Sequence, residues 1–199
     1  MQNKIGITFA SALRTILRQD PDIIMVGEIR DGETAQNAVQ AALTGHLVFS
    51  TLHTNDASAS ITRLVDLGIP PFLISSTLIG AMAQRLVRKI CEHCRRNRPL
   101  SIDESSMLNL QAPAGKRIIV KEGAGCIHCR NTGYFGRTGI FEILPVDNAI
   151  RDLVDHGEDF LKIKEMAIKR GMRTLRQSAL RKLAEGITSF EEVVRVTGI

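Results

Sequence analysis

Two cysteine pairs are the most specific chemical signal in the sequence. Cys91-Glu-His-Cys94 and Cys126-Ile-His-Cys129 could supply four thiolates, a ligand set that Zn²⁺ takes in tetrahedral structural sites. The 31 residues from 95 to 125 that separate the pairs exceed the roughly 15 to 20 usual in zinc ribbons, so we expect a further element to loop out between them. The alternative is two unrelated redox pairs, although a second copy followed by glycine-rich turn residues favours a structural site.

One histidine lies inside each cysteine pair, His93 in the first and His128 in the second. Four sulfurs already complete a tetrahedral shell, so neither imidazole is needed as a ligand. We expect both to be exposed residues of the cysteine turns.

A carboxylate follows the first strongly apolar run. Residues 23–26, Ile-Ile-Met-Val, are typical of a strand buried on both faces of a parallel sheet, and Glu28 comes two residues later. Open α/β sheets bind ligands at the carboxyl ends of their strands, and in nucleotide hydrolases an acid there organises Mg²⁺ and water beside the γ-phosphate. The alternative is an ion pair of Glu28 with Arg30 or Arg63 that only solvates the strand end.

A second predicted strand, 46–52, ends in a polar cluster, Ser-Thr-Leu-His-Thr-Asn, over residues 50–55. On the same sheet edge as Glu28, these groups could contact a phosphate and transmit its presence to the next helix. His53 projects beyond the strand, which favours a functional role. His46 is explained equally well as a core histidine that is hydrogen-bonded to the backbone.

Alternating helices and strands must position these groups. Apolar residues recur at helical spacing in four early segments, 8–17, 35–43, 56–67 and 76–88. Asp31 can cap the second of these helices and Gly45 can end it. Strand, helix, strand and helix within residues 1–88 predict an α/β layer architecture.

The remaining sequence divides into two further parts. From 89 to 139 the chain turns to cysteine, glycine, arginine and short runs, as in a small module that a metal must stabilise. A last strand, 139–144, leads into three helical patterns, 148–154, 160–169 and 175–183. The predicted domains are therefore 1–88, 89–139 and 140–199.

Composition restricts the function only weakly. A net charge of +5 and a pI of about 9.3 permit contact with nucleic acid, anionic lipid or phosphate. No apolar run approaches the roughly 20 residues that span a bilayer, and no export signal is recognisable, so we expect a cytoplasmic protein. A stacking platform for single-stranded nucleic acid would depend on seven Phe, since there is one Tyr and no Trp.

The sequence lacks one motif that a P-loop ATPase requires. Gly-x-x-x-x-Gly-Lys-Ser/Thr does not occur, so the backbone cradle and lysine of a P-loop are missing. An ATPase interpretation therefore needs an upstream half, and we expect this chain alone to bind nucleotide poorly and to hydrolyse none.

Several long motifs resemble the ATPases of type II secretion and type IV pilus assembly. They are residues 6–22, the strand before Glu28, residues 44–55, both cysteine pairs and residues 180–197. In this order they cover essentially the whole chain. The resemblance implies a partial RecA-like P-loop ATPase core with an inserted four-cysteine zinc module and a C-terminal helical region.

The resemblance also implies roles for individual residues. Glu28 matches the Walker B glutamate, which acts on Mg²⁺ and the attacking water, and His46 and His53 fall in the histidine box, with His53 the better candidate for contacting phosphate. Five arginines match nucleotide-site or subunit-interface positions: Arg14, Arg18, Arg30, Arg63 and Arg137. Each could instead form a surface ion pair that contributes little to stability.

Members of this family are homohexamers that hydrolyse ATP with Mg²⁺ on the inner face of the bacterial inner membrane, where they contact platform proteins. The cysteine module, with structural Zn²⁺, separates secretion and pilus-extension members from retraction motors. We favour type II secretion, with type IV pilus assembly as the alternative and no nucleic acid as partner. A zinc-ribbon module that binds nucleic acid or acts as a scaffold would explain the charge and the cysteines but not the strands around Glu28 and His53.

Overall fold

The computed structural model describes residues 15–16, 19, 21–111, 113 and 115–198. Most of the first predicted helix, 8–17, and two predicted site arginines, Arg14 and Arg18, lie outside the described residues. Along the described chain the elements are β1 (Ile23–Val26), α1 (Gly32–Leu43), β2 (Leu47–Ser50), α2 (Ala59–Asp66), α3 (Pro71–Thr77), β3 (Gly80–Ile90), β4 (Arg95–Pro99), α4 (Ile102–Met107), β5 (Ile119–Gly123), a 3₁₀ turn (Ile127–Cys129), β6 (Tyr134–Pro145), α5 (Asn148–Asp155), α6 (Phe160–Lys169), α7 (Leu175–Ala184) and α8 (Phe190–Thr197).

The chain forms two compact units. The first comprises Met1–Met82 and Ile143–Met172, and the second comprises Ala83–Glu142 and Arg173–Ile199. The helices of the predicted C-terminal region, 140–199, therefore belong to both units, with α5 and α6 in the first and α7 and α8 in the second. The three-domain division at 88 and 139 stays a prediction. None of the helices in the described part of the chain is both long and apolar enough to cross a bilayer.

The first unit contains a parallel pair of strands. β1 and β2 are in register from Ile23 beside Leu47 to Val26 beside Ser50, and α1 connects them. The Asp31 side chain caps α1 by accepting from the Thr34 N–H, as the sequence predicts. The predicted α/β architecture is present.

Burial of β1 differs from the expectation. Ile24 and Val26 are buried, but Ile23 and Met25 are 61% and 77% exposed. The strand is thus covered on one face, whereas its continuous apolar run is typical of a strand covered on both.

Helices complete the first unit. α3 packs against α5, and α6 contacts both α5 and α2. Two polar contacts connect these helices: Ser75 Oγ donates to Asp155 at 2.5 Å, and Lys164 Nζ lies 2.6 Å from Asp56. Asp56 also accepts the Ala59 N–H at the start of α2, so one carboxylate both caps a helix and anchors a neighbour.

Two ribbons build the second unit. β4 and β5 are antiparallel, with Arg95 beside Gly123 and Pro99 beside Ile119, and β3 pairs with β6. Helices α7 and α8 pack together and share one apolar core with the strands, formed by Val87, Leu100, Leu108, Val120, Ile140, Ala179, Leu183, Phe190 and Val193.

The helix predicted at 76–88 is wrong, because these residues mostly form β3. Ala83 and Val87 are buried, whereas Met82 and Leu86 are exposed. A spacing of four residues places side chains on one side of a strand as well as on one face of a helix, so the pattern does not discriminate between the two. Pairing with β6 and burial of Val87 decide in favour of the strand.

Candidate functional site

The carboxyl ends of β1 and β2 open on one edge of the sheet, because the strands are parallel and in register. Gly27 and Thr51 follow the strands directly, and Thr51 Oγ1 donates to the Gly27 carbonyl at 2.7 Å. The Ile29 N–H donates to the Thr51 carbonyl at 3.0 Å. These two bonds hold the loops that carry Glu28 and His53 beside each other. The sequence marks Thr51 only as part of a polar cluster and gives no sign of this role.

Glu28 receives two nitrogen donors at one oxygen. Its Oε2 lies 2.7 Å from Arg30 Nε and 3.1 Å from His53 Nε2. These contacts, that of Arg30 foremost, outweigh the opposing effect of desolvation and hold the pKa of the Glu28 carboxyl below its ordinary value. Glu28 is therefore ionised at neutral pH, while the Arg30 and His53 side chains remain 70% and 80% exposed.

An ionised carboxylate at this edge suits a particular chemistry. Carboxylate oxygens ligate hard cations such as Mg²⁺. A general base, in contrast, works best with a pKa near the operating pH, and the pKa of Glu28 is shifted away from that range. The arrangement can therefore ligate a metal ion and order its water.

His46 lies at the opposite end of β2. Its Nδ1 is 2.9 Å from the Ala41 carbonyl and 3.1 Å from Thr44 Oγ1. The imidazole thus closes the last turn of α1, where carbonyls lack partners within the helix. These are the contacts of the backbone-bonded histidine that the sequence allows as an alternative, although His46 is half-buried rather than in the core. The structure does not bring it to Glu28.

Of the predicted site arginines that the structure describes, Arg30 is the one placed at Glu28. Arg63 is half-buried on α2, and Arg137 is exposed on β6 in the second unit. Neither forms an ion pair with a described carboxylate. Between the two ion pairs that the sequence offers for Glu28, the structure forms the one with Arg30.

The four cysteines meet in the second unit. Their Sγ atoms all lie within 4.8 Å of one another. Cys91 to Cys126 and Cys94 to Cys129 measure 3.8 Å, and Cys126 to Cys129 measures 3.7 Å. A tetrahedron with Zn–S bonds of about 2.3 Å has edges of about 3.8 Å. The donor set and its spacing therefore fit a zinc ion.

Both ribbons hold the cysteine turns in place. Cys91 directly follows β3, and its N–H donates at 2.9 Å to the carbonyl of Gly133, which precedes β6. Cys94 directly precedes β4, and its carbonyl accepts at 3.0 Å from the N–H of Ala124, which follows β5. The first turn is thus hydrogen-bonded at both ends to residues that flank the second turn. The element that loops out between the pairs consists of β4, α4 and β5.

Glycine is required where the two strand ends meet. A Cβ atom on Gly123 would collide with the Gly133 carbonyl, and one on Gly133, at φ 77°, would lie 2.5 Å from the Gly123 oxygen. Real Cβ atoms do not approach backbone so closely. Steric crowding of the backbone therefore explains why glycine occupies these two positions near the cysteines.

The thiols of Cys129 and Cys94 differ in pKa. Burial raises the pKa of Cys129, but the N–H groups of Cys126 and Gly133, 3.2 and 3.3 Å from its Sγ, and the neighbouring thiols outweigh burial and lower that pKa to about 6. Burial raises the pKa of Cys94 to about 12. A bound divalent cation would remove this difference, because coordination deprotonates a thiol.

His93 and His128 are exposed, as the sequence predicts, but they are not independent. Their rings stack with centroids 3.9 Å apart and an angle of 19° between the planes. The signal for this contact is present in the sequence, since each histidine occupies the third position of its Cys-x-His-Cys turn.

Comparisons with known proteins find relatives over nearly the whole chain. A family model described as "Type II/IV secretion system protein" matches residues 1–195. The type II secretion system protein HxcR of Pseudomonas aeruginosa is 51% identical over 194 residues, which are 98% of this chain and 37% of that protein. The type IV pilus assembly ATPase PilB of Thermus thermophilus is 52% identical over 192 residues, 96% of this chain and 22% of that protein.

A solved structure supports the fold. The pilus retraction motor PilT with bound ADP superimposes with a TM-score of 0.63 at 31% identity, over 95% of this chain and 43% of that one. The chain therefore spans well under half the length of the relatives that it matches.

Proposed function

Because the chain belongs to the type II/IV secretion system protein family, we propose that it is the C-terminal part of an ATPase that powers type II secretion by driving pseudopilus assembly. The observation that carries this proposal is the contact of Glu28 with His53 at the carboxyl edge of two parallel strands. Type IV pilus assembly is the second candidate, because identity to a pilus ATPase, 52%, is as high as that to a secretion protein, 51%.

Glu28 is proposed as the carboxylate that holds Mg²⁺ and orders the attacking water. Its lowered pKa keeps it in the ligating form, and Mg²⁺ supplies charge neutralisation on the phosphates. Arg30 is largely exposed, so it can leave Glu28 for a phosphate or a subunit interface. His53 is proposed to contact phosphate. It lies 3.1 Å from Glu28, close enough to sense whether Glu28 holds a metal ion.

The remaining site residues belong to the same proposal. His46 is retained from the resemblance, although its contacts are those of a residue that closes a helix. Arg63 and Arg137 are available for a neighbouring subunit, since neither pairs with a described carboxylate. Arg14 and Arg18 rest on the resemblance alone.

The exposed face of the sheet supports an upstream partner segment. Ile23, Met25 and Phe49 are 61%, 77% and 54% exposed, although strands of parallel sheets are normally covered on both faces. We propose that the part of the ATPase core that contains the P-loop covers this face. The chain alone is then expected to hydrolyse no ATP.

The four cysteines are proposed to hold one structural Zn²⁺. The Sγ spacing fits the ion, and four sulfurs leave no open position for a substrate. Assembly into a homohexamer, contact with platform proteins and a place on the inner face of the bacterial inner membrane follow from the family resemblance and belong to the same proposal.

The test is ATP hydrolysis by a version extended upstream through the phosphate-binding loop, under conditions that allow assembly. Glu28→Gln should lower the rate by at least 100-fold, on the order of the loss expected for a principal transition-state group. Glu165→Gln, an exposed glutamate on α6, is the matched control and should leave the rate unchanged. Full activity of Glu28→Gln would refute the assigned role.

Complementation separates the two candidate processes. The extended protein should restore secretion in a bacterium that lacks its secretion ATPase and should not restore pili in one that lacks its pilus ATPase. The opposite pattern would select pilus assembly. Salt-dependent binding to DNA or RNA by the chain itself would instead support the nucleic-acid-binding alternative.

A further inference from the structure

The two cysteine turns face each other with equivalent positions adjacent. First cysteine meets first cysteine, Cys91 with Cys126, and last meets last, Cys94 with Cys129, each pair at 3.8 Å. The third positions of the two turns also lie together. There, the rings of His93 and His128 stack at 3.9 Å.

We propose that the stacked histidines are positioning residues that keep the two turns closed over the zinc ion and slow its release. Neither imidazole acts as a ligand in this role, which rests on the zinc site proposed above. The stack acts indirectly, because it holds together the two turns that carry the sulfur ligands.

Backbone hydrogen bonds hold the base of the first turn. Cys91 bonds with Gly133 and Cys94 with Ala124, where that turn joins β3 and β4. The tips of the turns are exposed, with Ile127 at 87%. For the metal to leave, one tip must move away from the other, and that movement separates the stacked rings.

The size of the effect follows from the contact. An aromatic pair stabilises by an amount that corresponds to roughly twofold to tenfold in a rate or equilibrium constant. Exposure to water places a surface pair in the lower part of that range. Release should therefore accelerate by about threefold when the stack is lost.

The experiment uses the complete chain loaded with zinc and an excess of a chromophoric chelator. The rate at which zinc transfers to the chelator is the measurement, after the zinc content has been determined. His93→Ala and His128→Ala should each accelerate transfer by about threefold, and the double variant should add little, because both remove one contact.

Two double variants separate stacking from hydrogen bonding. His93→Phe combined with His128→Phe keeps the rings without N–H groups and should restore slow release. His93→Gln combined with His128→Gln keeps N–H groups without rings and should release zinc as fast as the double alanine variant. Ile127→Ala, between the histidine and the first cysteine of the second turn, is the control and should behave like the unmodified chain.

The outcomes distinguish this inference from the metal proposal. One zinc per chain with unchanged release from the alanine variants would overturn the role of the stack and leave the zinc site intact. Fast release from the double phenylalanine variant would also overturn it. A chain that binds no zinc would overturn both proposals.

Discussion

Four thiols in the second unit meet within 4.8 Å of one another, on two turns of which the first is hydrogen-bonded at both ends to residues that flank the second. The sheet edge of the first unit instead offers Glu28, on a loop whose partners Arg30 and His53 are mostly exposed. The cysteine cluster thus has all its ligands and is preorganised within one unit. The sheet edge has side chains that can exchange partners, as a site that must respond to a nucleotide requires.

The comparison predicts that the cluster is far more sensitive to substitution than the edge. Cys91→Ser and Cys129→Ser should lose stoichiometric zinc and lower the melting temperature by on the order of 10 °C, since about 1 kcal/mol corresponds to 4 to 8 °C in a domain of this size. Tyr134 is the one Tyr in a chain without Trp, so its fluorescence reports on the second unit. Retention of zinc by either variant would show that the cluster is not a four-sulfur site.

Glycines allow a matched test in both regions. Gly123→Ala should disrupt the cluster scaffold and lower zinc content, because its Cβ would collide with the Gly133 carbonyl. Gly27→Ala, at the sheet edge, should be tolerated, because nothing lies within 4 Å of a Cβ there. Zinc content and thermal melting of the two variants, measured side by side, check the contrast. Equal changes in zinc content and melting in the two variants would contradict the expected difference between the regions.

Acid should weaken the second unit through one buried carboxylate. Glu192 accepts from Arg88 and Arg195 at 2.6 to 2.9 Å, and although burial opposes ionisation, these contacts lower its pKa to about 2 from 4.5. Because the folded pKa is depressed, the stabilisation is present above pH 4.5 and is lost as the pH falls towards 2.

Urea unfolding at several pH values, followed by Tyr134 fluorescence, measures this loss. The expected decrease in the free energy of unfolding on acidification is on the order of 2 to 3 kcal/mol. In Glu192→Gln most of this acid-induced decrease should be absent. An unchanged acid dependence in that variant would assign the loss to other carboxylates.

The smallest effect is expected at the sheet edge. Arg30→Ala should raise the pKa of Glu28, because the Arg30 contact is the foremost cause of its lowering, and His53→Ala should raise it less. Melting temperatures should change little, since exposed ion pairs contribute little to stability. A carboxyl titration followed by NMR provides the measurement. An unmoved Glu28 pKa in Arg30→Ala would mean that another group keeps the carboxylate ionised.

The strands and helices of the first unit could largely be predicted, because their signals are local. The run at 23–26 and the cap at Asp31 specify β1 and the start of α1 from adjacent residues. The β3 strand could not be predicted, since its identity depends on pairing with β6, about fifty residues away in sequence. Local spacing at Met82 and Leu86 is equally compatible with a helix.

The candidate sites divide in the same way. Residue types and spacing predict the cysteine set, and the strand order brings Glu28 and His53 to one edge. The partner that Glu28 selects is a tertiary outcome, Arg30 rather than Arg63. Spacing cannot reveal such choices, because it does not encode the path of the loops.

The half-covered sheet has a practical consequence for anyone who handles this chain. Ile23, Met25 and Phe49 present a contiguous water-facing apolar surface on strands, and such surfaces promote association between copies at high concentration. Solubility should therefore be limited by colloidal attraction rather than by unfolding. Mild detergent or dilution should disperse such assemblies without loss of secondary structure.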